Sequence, residues 1–563
     1  MRGIRDRRTW RWLPRRLRFM RGIRDRRTWR WLPRRLRFRV LGLVDVVALW
    51  TLVAALTTAG AWWGLDSYRH HRDYCTANRD LRRVGQECIG VTAEAYPFAP
   101  ALNGILGRIE EENETARTSG KPVVSVAVVM PYTSRSPGAA MSQDLILHSL
   151  QGAYIAQQSQ NGQDTAVQLL FANVGEDLTH WKTVTDALAA RLGGDAPVVA
   201  AIGFPNSDDY TLNAVKEGLG PERIPAVSAV LSSREMEDPY LFKVSPSTDQ
   251  LVEALQLYVS ANEVDRKNTF MIKDHRKDDN YVANLSRVFS REFGEQYGIT
   301  PDAVERRIET YKGIKGPDQG TPQNFRDAVA AMCAVDTRTV FLAGRDADLP
   351  PFLSAIDDRV SCRRGPDDGP LRILRVSTGR DPDTESGEMR GIAERNDIEI
   401  VTAVAVDAPG WRDSAVGDEQ VPRAFADFAA SYDEHFGEKS DSTALDDGYA
   451  VMYHDALTAV GTAVAAARDS GIDPVTHNDV YDKLRRGSPV ADCANSCVRG
   501  ASGIFTFVDE SAGADASAGS ELVDGQWPVC KPVPIVTFPA KRHDKSPLYR
   551  TYEVPGKNAC PAP

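Results

Sequence analysis

The sequence lacks the short motifs of the common enzyme classes. It has no H-E-x-x-H, no G-x-S-x-G and no G-x-x-x-x-G-K-S/T, which excludes the usual zinc-protease, nucleophile-elbow and phosphate-loop patterns. The glycines of GIKGPDQG, residues 313–320, have neither a flanking strand nor the Lys-Ser/Thr end, so they indicate a loop. Adjacent acids such as Asp278 and Asp279 would face opposite ways in a strand and indicate solvated charge. We therefore predict a protein that is not an enzyme and has no cofactor.

Cysteine is missing from the first 74 residues, and no lipobox precedes Cys75, which argues against a lipoprotein anchor. The later part of the chain holds all eight cysteines, and an even number in an oxidising compartment predicts disulfides. No CxxC pair has zinc spacing, so no metal site is predicted. The spacing does not fix the connectivity, and our hypothesis is pairing of nearest neighbours: Cys75–Cys88, Cys333–Cys362, Cys493–Cys497 and Cys530–Cys560.

Acidic residues are scarce at the N-terminus, and charge is then missing altogether. Residues 1–39 contain 17 arginines against Asp6 and Asp25, because MRGIRDRRTWRWLPRRLRF is written twice. Val46 to Leu65 has no charged residue, and about 20 helical residues cross a hydrocarbon core of about 30 Å. We predict a transmembrane helix at 40–65.

Arginines before this span predict a cytoplasmic N-terminus, residues 1–39, and an extracellular remainder. A nucleic-acid-binding arm and a cleaved signal peptide are the alternatives. Beyond Leu65 remain 51 of the 68 basic and 74 of the 77 acidic residues, a formal charge of −23, which argues against a nucleic-acid partner. Met20 opens the second copy, so translation could start at Met1 or Met20.

The extracellular part is predicted to be α/β, in two doubly wound parallel-sheet lobes joined by crossover strands. Residues 66–120 are polar and indicate a stalk or cap. From residue 121, apolar β-branched runs such as VVSVAVVM alternate with amphipathic helices, which is typical of βαβ units. About 420 residues exceed one core, so two lobes are expected. The bilobed domain is placed at 121–540, with lobe 1 at about 121–245 and 405–475, lobe 2 at about 246–404 and 476–540, and a tail at 541–563.

Several short patterns occur in the order seen in a known family. These are Gly203–Ser207, Ile224–Ser228, Tyr240–Pro246, Asp279–Tyr281, Tyr453–Ala456 and Gly500–Phe507. Together they resemble type I periplasmic binding proteins, in particular the leucine/isoleucine/valine-binding branch, over residues 121–540. The resemblance implies a two-lobed fold that closes around a small polar solute, possibly an amino acid, for the permease and ATPase of an ABC transporter.

The resemblance also implies binding residues. Ser207, Ser232 and the backbone of Val230 match positions that hold a ligand carboxylate near a helix start, and Tyr281 matches an aromatic that closes over the ligand. The loops GRDAD and TGRDPD match the acid that binds the ammonium group, so the further candidates are Asp346, Arg380 and Asp381.

Each candidate has a plain structural alternative. Ser207 could be an N-cap, Ser232 could start a turn, and Tyr281 could pack in the core. Asp346 and Asp381 could be solvated loop acids. Asp208 directly follows Ser207 and would repel a carboxylate at a helix start, so a cation, a peptide or a neutral metabolite stays open as the ligand.

Two functions follow from these observations. The first is a membrane-tethered extracellular solute-binding protein that serves an ABC transporter. The second is a sensor or protein-interaction domain that uses the same fold without transport. The single predicted span favours the second, and the short cytoplasmic tail argues against signalling by this chain alone.

Overall fold

A computed structural model describes residues 48–58 and 73–550, with gaps at 137–138, 263, 267, 277–278, 301–306, 315–319, 360–368, 415–417, 419, 438–442, 488–496, 508–525 and 540–546. The chain divides into two compact units, Met1–Asp73 and Tyr74–Pro563. In the first unit, residues 48–58 are helical and exposed. No helix among the described residues is long and apolar enough to cross a membrane. The basic tail and most of the predicted span, residues 40–65, lie outside the described residues.

The second unit contains two seven-stranded sheets. The first sheet has the order β1-β2-β4-β3-β5-β6-β7. Strands β3 to β7 run parallel, and β1 and β2 add an antiparallel edge. Its strands are β1 Leu81–Val84, β2 Glu87–Thr92, β3 Val123–Met130, β4 Ala166–Asn173, β5 Val198–Gly203, β6 Ala226–Ser228 and β7 Leu241–Lys243.

The second sheet has the order β17-β16-β12-β11-β10-β8-β9, and a small antiparallel sheet has the order β13-β14-β15. Strands β8 to β12 run parallel, whereas β16 and β17 form an antiparallel edge. These strands are β8 Thr269–Asp274, β9 Ile308–Tyr311, β10 Thr339–Ala343, β11 Leu371–Ser377, β12 Ile398–Val404, β13 Val498–Gly500, β14 Gly503–Phe507, β15 Pro528–Val529, β16 Pro532–Phe538 and β17 Leu548–Arg550.

Both large sheets are buried on two faces, which explains their continuous apolar runs. Successive side chains of a strand point to opposite faces. In β3, Val126 and Val128 therefore pack in one core cluster, and Ala127 and Val129 pack in another. Strand β10 divides its side chains between two clusters in the same way. The α/β doubly wound architecture is confirmed.

The helices cover these faces, and some of them begin at a serine that caps the helix N-terminus. Ser142 caps α2 (Gln143–Asn161) by accepting from the Leu145 N–H at 3.2 Å, and Ser247 with Gln250 forms a capping box on α5 (Thr248–Ala261). The described helices are α1 Asn103–Thr118, α2 Gln143–Asn161, α3 Trp181–Ala189, α4 Asp209–Asn213, α5 Thr248–Ala261, α6 Asn280–Tyr297, α7 Arg326–Ala334, α8 Leu349–Asp357, α9 Gly387–Arg395, α10 Ala408–Arg412, α11 Phe425–Phe436, α12 Tyr449–Asp469 and α13 His477–Arg486.

Within the described residues the chain passes between the two sheets at three places. These are the connections from β7 to α5, from β12 to α10, and from β15 to β16. We call the first sheet with the elements packed on it the first lobe, and the second sheet with its elements the second lobe. The lobes are thus joined by crossover segments rather than by one linker.

Two boundaries differ from the prediction. Residues 81–118, predicted as part of a stalk or cap, form two strands of the first sheet and helix α1, whose Ile105 and Ile109 are buried in the first lobe's core. Helix α13 and strands β13 and β14, predicted in lobe 2, also pack in the first lobe, where Val480, Tyr481 and Phe505 join the same core. The strands β1 and β2 of residues 81–118 were not predicted from the sequence because they are short and half polar.

The predicted disulfide Cys75–Cys88 is confirmed, with an S–S distance of 1.99 Å. Cys333, Cys497 and Cys530 are also disulfide-bonded. Their predicted partners lie outside the described residues, so those three pairings stay predictions. No described cysteine is free.

Candidate functional site

A cavity of about 640 Å³ lies between the two lobes. Most of its wall is made by segments that follow β3 and β5 of the first sheet and β8, β10 and β11 of the second sheet, and residues 443–449 at the start of α12 complete it. The strand-following segments leave the carboxyl ends of parallel strands, where α/β sheets bind ligands. A volume of this size falls in the range of small-molecule pockets, about 300–1,000 Å³.

A second cavity of about 70 Å³ adjoins the first. The two share four wall residues, Arg345, Asp346, Ser377 and Tyr449. We call them the large cavity and the small cavity. The small cavity is well below the usual size of a ligand pocket, so it has room for one group of a solute rather than for a whole molecule.

All seven predicted binding residues line one or both cavities. The small cavity has five of them: Ser207, Val230, Ser232, Tyr281 and Asp346. The large cavity has three: Asp346, Arg380 and Asp381. The structure therefore brings together residues that are up to 174 positions apart in the sequence.

Ser207 and Ser232 present hydroxyl groups to the small cavity. Each residue is only 5% exposed, and within the described residues neither hydroxyl makes a hydrogen bond. Ser207 is not the N-cap of α4, because the Asp208 carboxylate has that role and accepts from the Thr211 N–H at 2.8 Å. Because both residues line the cavity and neither hydroxyl has a partner among the described residues, both hydroxyls are available to a ligand.

Tyr281 is oriented by two contacts within the second lobe. Its hydroxyl donates to the Val376 carbonyl at 3.1 Å, and the Arg345 guanidinium lies 5.6 Å from its ring centre. Burial raises the pKa of Tyr281 to about 12, so the phenol stays neutral at physiological pH. The side chain forms a wall of the small cavity with a fixed ring and an engaged hydroxyl.

Asp279, read from the sequence as solvated charge, is buried at the floor of the large cavity. Its carboxylate accepts from Arg345 Nε at 2.6 Å and Nη2 at 3.1 Å, and Arg276 Nη2 lies 3.4 Å away. It also caps α6 through the Val282 N–H at 3.1 Å. Burial alone would raise the pKa of Asp279, but the Arg345 charge and hydrogen bonds outweigh it and lower that pKa.

Asp346 and Ser377 lie on the wall that both cavities share. Asp346 forms an ion pair with Arg375, whose side chain is almost completely buried. The Asp346 side chain is also 45% exposed, so it is partly solvated as well as paired with a buried cation. Ser377 is 8% exposed, and its hydroxyl makes no hydrogen bond within the described residues.

Arg380 and Asp381 are adjacent but face different partners. Arg380 Nε donates to Asp407 at 2.7 Å, next to the crossover after β12. Asp381 accepts from the Thr384 hydroxyl at 2.6 Å and from the Asp383 N–H at 3.1 Å. Burial raises the pKa of Asp381, because the Thr384 hydrogen bond and the Arg375 charge, which lower it, do not outweigh desolvation.

The first lobe contributes an acid of its own to the large cavity. Asp447 contacts His148 Nδ1 at 2.6 Å and accepts from the Tyr449 N–H at 2.8 Å. Leu145, Leu147 and neighbouring apolar side chains complete this wall. The large cavity thus combines an apolar surface with carboxylates from both lobes.

The charges of the large cavity are unequal. Seven aspartates face three arginines, namely Asp144, Asp208, Asp279, Asp346, Asp381, Asp383 and Asp447 against Arg276, Arg345 and Arg380. Among the residues that the structure describes, no group of His, Cys, Asp and Glu could hold a metal ion.

The wall residues that were not predicted from the sequence include Asp279, Arg345, Ser377, Asp447 and Tyr449. A signal existed for two of them. Arg345 precedes Asp346 in a loop that follows a buried strand, and Ser377 ends the strand before the loop of Asp381. Asp447 had no such signal, because it precedes a helix rather than following a strand.

No protein-family model matches the chain, and no curated protein matches it. Solved structures do. A solute-binding protein of an ABC transporter from Rhodopseudomonas palustris BisB5, in complex with 3,4-dihydroxybenzoic acid, has a TM-score of 0.50 and 13% identity over 78% of this chain and 100% of that one.

Two further neighbours are of the same kind. An R. palustris solute-binding protein in complex with benzoate has a TM-score of 0.48 and 15% identity, and covers 76% of this chain and 95% of its own. A leucine-binding protein from Thermotoga maritima has a TM-score of 0.46 and 14% identity, and covers 73% and 95%. At such identities the likeness shows the fold alone. The fold implied by the resemblance to type I periplasmic binding proteins is confirmed.

Proposed function

We propose that this chain is an extracellular solute-binding protein that captures a small polar solute between its lobes and presents it to an ABC transporter. The observation that carries the proposal is the 640 Å³ cavity at the carboxyl ends of the strands of both sheets. Crossover segments join the lobes there, which is the geometry of hinge closure around a ligand. The solute-binding neighbours with this fold support the same reading.

The seven predicted residues are proposed to contact the solute, together with Ser377. Removing the Ser377 hydroxyl should leave the unliganded protein nearly unchanged, because that hydroxyl has no hydrogen bond within the described residues. Its loss should weaken a solute by about two- to tenfold, the range of one neutral hydrogen bond. Ser260→Ala is a matched control, because Ser260 is an exposed residue of α5.

The test is a thermal-unfolding screen of the full chain against amino acids, short peptides, amines, aromatic carboxylates and sugars. A solute that binds only the folded state adds about 2.7 kcal/mol at 100 times its Kd. A stabilising solute that is weakened by Ser377→Ala and not by Ser260→Ala would support the proposal. A screen without any stabilising solute would overturn it and favour a sensor or protein-interaction domain of the same fold.

We also propose that residues 40–65 tether the protein to the cell membrane, with the N-terminus in the cytoplasm and the lobes outside. The support is the uncharged run from Val46 to Leu65 behind the arginine-rich tail. Resistance to alkaline extraction of membranes, together with protease access to the lobes in intact cells, is the expected result. Release by the alkaline wash would contradict the tether.

A further inference from the structure

We propose that the solute is an organic cation with two or more amines on a flexible apolar chain, bound along the large cavity. This inference rests on the proposed solute-binding function and names the class of solute. It starts from the charge of the wall, where seven aspartates face three arginines. A wall of one dominant sign raises the local concentration of the opposite charge, so the cavity attracts cations and repels anions.

The three arginines of the wall are already engaged by carboxylates of the protein. Arg345 and Arg276 both contact Asp279, with the shortest distance 2.6 Å. Arg380 donates to the buried Asp407 at 2.7 Å. A charge-assisted pair of this length is strong, so an anionic solute would have to compete with a protein carboxylate for each guanidinium.

Two acids offer separate anchors on opposite lobes. Asp381 of the second lobe accepts hydrogen bonds from two neutral donors, Thr384 and the Asp383 N–H. Asp447 of the first lobe contacts His148 and accepts from the Tyr449 N–H. A solute that reached both anchors would need two cationic groups and would join the lobes through them.

The rest of the wall suits the chain between those groups. Met141, Leu145, Leu147 and Pro382 line the large cavity and can cover methylene groups. Ser377 is more than nine-tenths buried, and its hydroxyl makes no hydrogen bond within the described residues. It lies where the two cavities meet, so it can accept a hydrogen bond from an ammonium group entering the small cavity.

A free α-amino acid fits these observations less well. The small cavity, where the resemblance places its carboxylate, measures about 70 Å³. Asp208 stands at that helix start and accepts from the Thr211 N–H, so the local donor is used and the local charge is negative. The large cavity would be left mostly unfilled by such a ligand.

The experiment is titration calorimetry of the full chain with spermidine, and with leucine, glutamate and benzoate as comparison solutes. Spermidine should bind, and its singly N-acetylated form should bind at least tenfold more weakly, because one amine is then neutral. Asp381→Asn should weaken spermidine about tenfold or more. Asp164→Asn is the matched control, because Asp164 is an exposed acid in the loop before β4, at the amino end of that strand. This substitution should leave the affinity for spermidine unchanged.

The acetylated solute keeps the test valid even where Asp381→Asn fails to fold. Equal losses in Asp381→Asn and Asp164→Asn would mean general attraction to an acidic surface and would overturn the proposed site. If leucine, glutamate or benzoate binds tightly and spermidine does not bind, the proposal of a cationic solute is overturned, but the proposed solute-binding function is not. If no solute binds in this titration or in the thermal-unfolding screen, both the cationic solute and the solute-binding function are overturned.

Discussion

Asp279→Asn is the substitution that most directly tests the buried ion pair in the wall of the large cavity. The wild-type carboxylate is 4% exposed and holds Arg345 through two hydrogen bonds of 2.6 and 3.1 Å. It also caps α6 at the Val282 N–H. Because asparagine caps helices as well as aspartate does, the substitution keeps the cap and removes the ion pair alone.

The expected cost follows from burial. Breaking a buried ion pair costs about 3–5 kcal/mol, because the remaining charge stays uncompensated. The Arg345 side chain is 29% exposed, so water reaches the released guanidinium and the cost should fall near the lower end, about 3 kcal/mol. For a lobe of about 200 residues this corresponds to a fall in Tm of roughly 6–12 °C.

The assay is thermal and urea unfolding of Asp279→Asn beside Asp433→Asn. Asp433 also pairs with an arginine, Arg412 at 2.8 Å, but these two side chains are 55% and 34% exposed. An exposed pair contributes at most about 1 kcal/mol, so the control should lose little. Equal Tm values for the two variants would refute the argument that burial sets the energy of this pair.

A pH series gives a second check on Asp279. The pKa of its carboxyl is lowered from its ordinary 3.8 in the folded protein, so its contribution is complete above pH 3.8 and is lost as the pH falls through the folded pKa. The stability difference between wild type and Asp279→Asn should therefore be constant near neutrality and narrow only below about pH 4. A difference that narrows between pH 8 and 6 would contradict this assignment.

Two further predictions concern packing and the first crossover. Gly152→Ala should lower the free energy of unfolding by about 1–3 kcal/mol or more, because the new Cβ would lie 1.8 Å from the Ala450 carbonyl oxygen. Gly107→Ala is the control in urea unfolding, and it should be neutral or stabilising because nothing lies near its new Cβ. Burial lowers the pKa of Lys243, beside Trp527, to about 7, so the unfolded chain binds more protons between pH 7 and 10.5 and stability should rise with pH there, by up to about 1.4 kcal/mol per unit. Lys243→Met should remove that rise in Tm, and an unchanged slope would contradict the buried charge.

The sheet cores could be predicted because their signal is local. A parallel strand buried on both faces must be apolar throughout, and β3, β4 and β5 show this in consecutive residues. Strands β1 and β2 could not be found in this way, because LRRV and ECIGVT are short and partly polar. Their assignment depends on pairing with β4, about 80 residues later, which no local pattern contains.

The cavity residues that were predicted came from the resemblance to type I periplasmic binding proteins. Asp346, Arg380 and Asp381 were predicted because their loops match loop positions of that family, and the structure places these loops after strands β10 and β11. The ionic partners were not found, since Asp279 and Arg345 are separated by 66 residues and each alone resembles solvated charge. Long-range pairing decides whether a charge is free for a ligand, and a single sequence does not carry that information.

The cavity wall and the joint between the lobes share the loop after β11. Arg380 binds Asp407 beside the second crossover, and its backbone N–H donates to the Asp446 carbonyl of the first lobe at 2.7 Å. The next residue, Asp381, lines the large cavity. The Cβ of any residue at Gly379 would lie 2.4 Å from that same Asp446 carbonyl, so the backbones approach here as closely as glycine permits. A solute that moves Asp381 therefore acts on a segment that is hydrogen-bonded to the crossover. Binding of the solute is thereby coupled to the angle between the lobes.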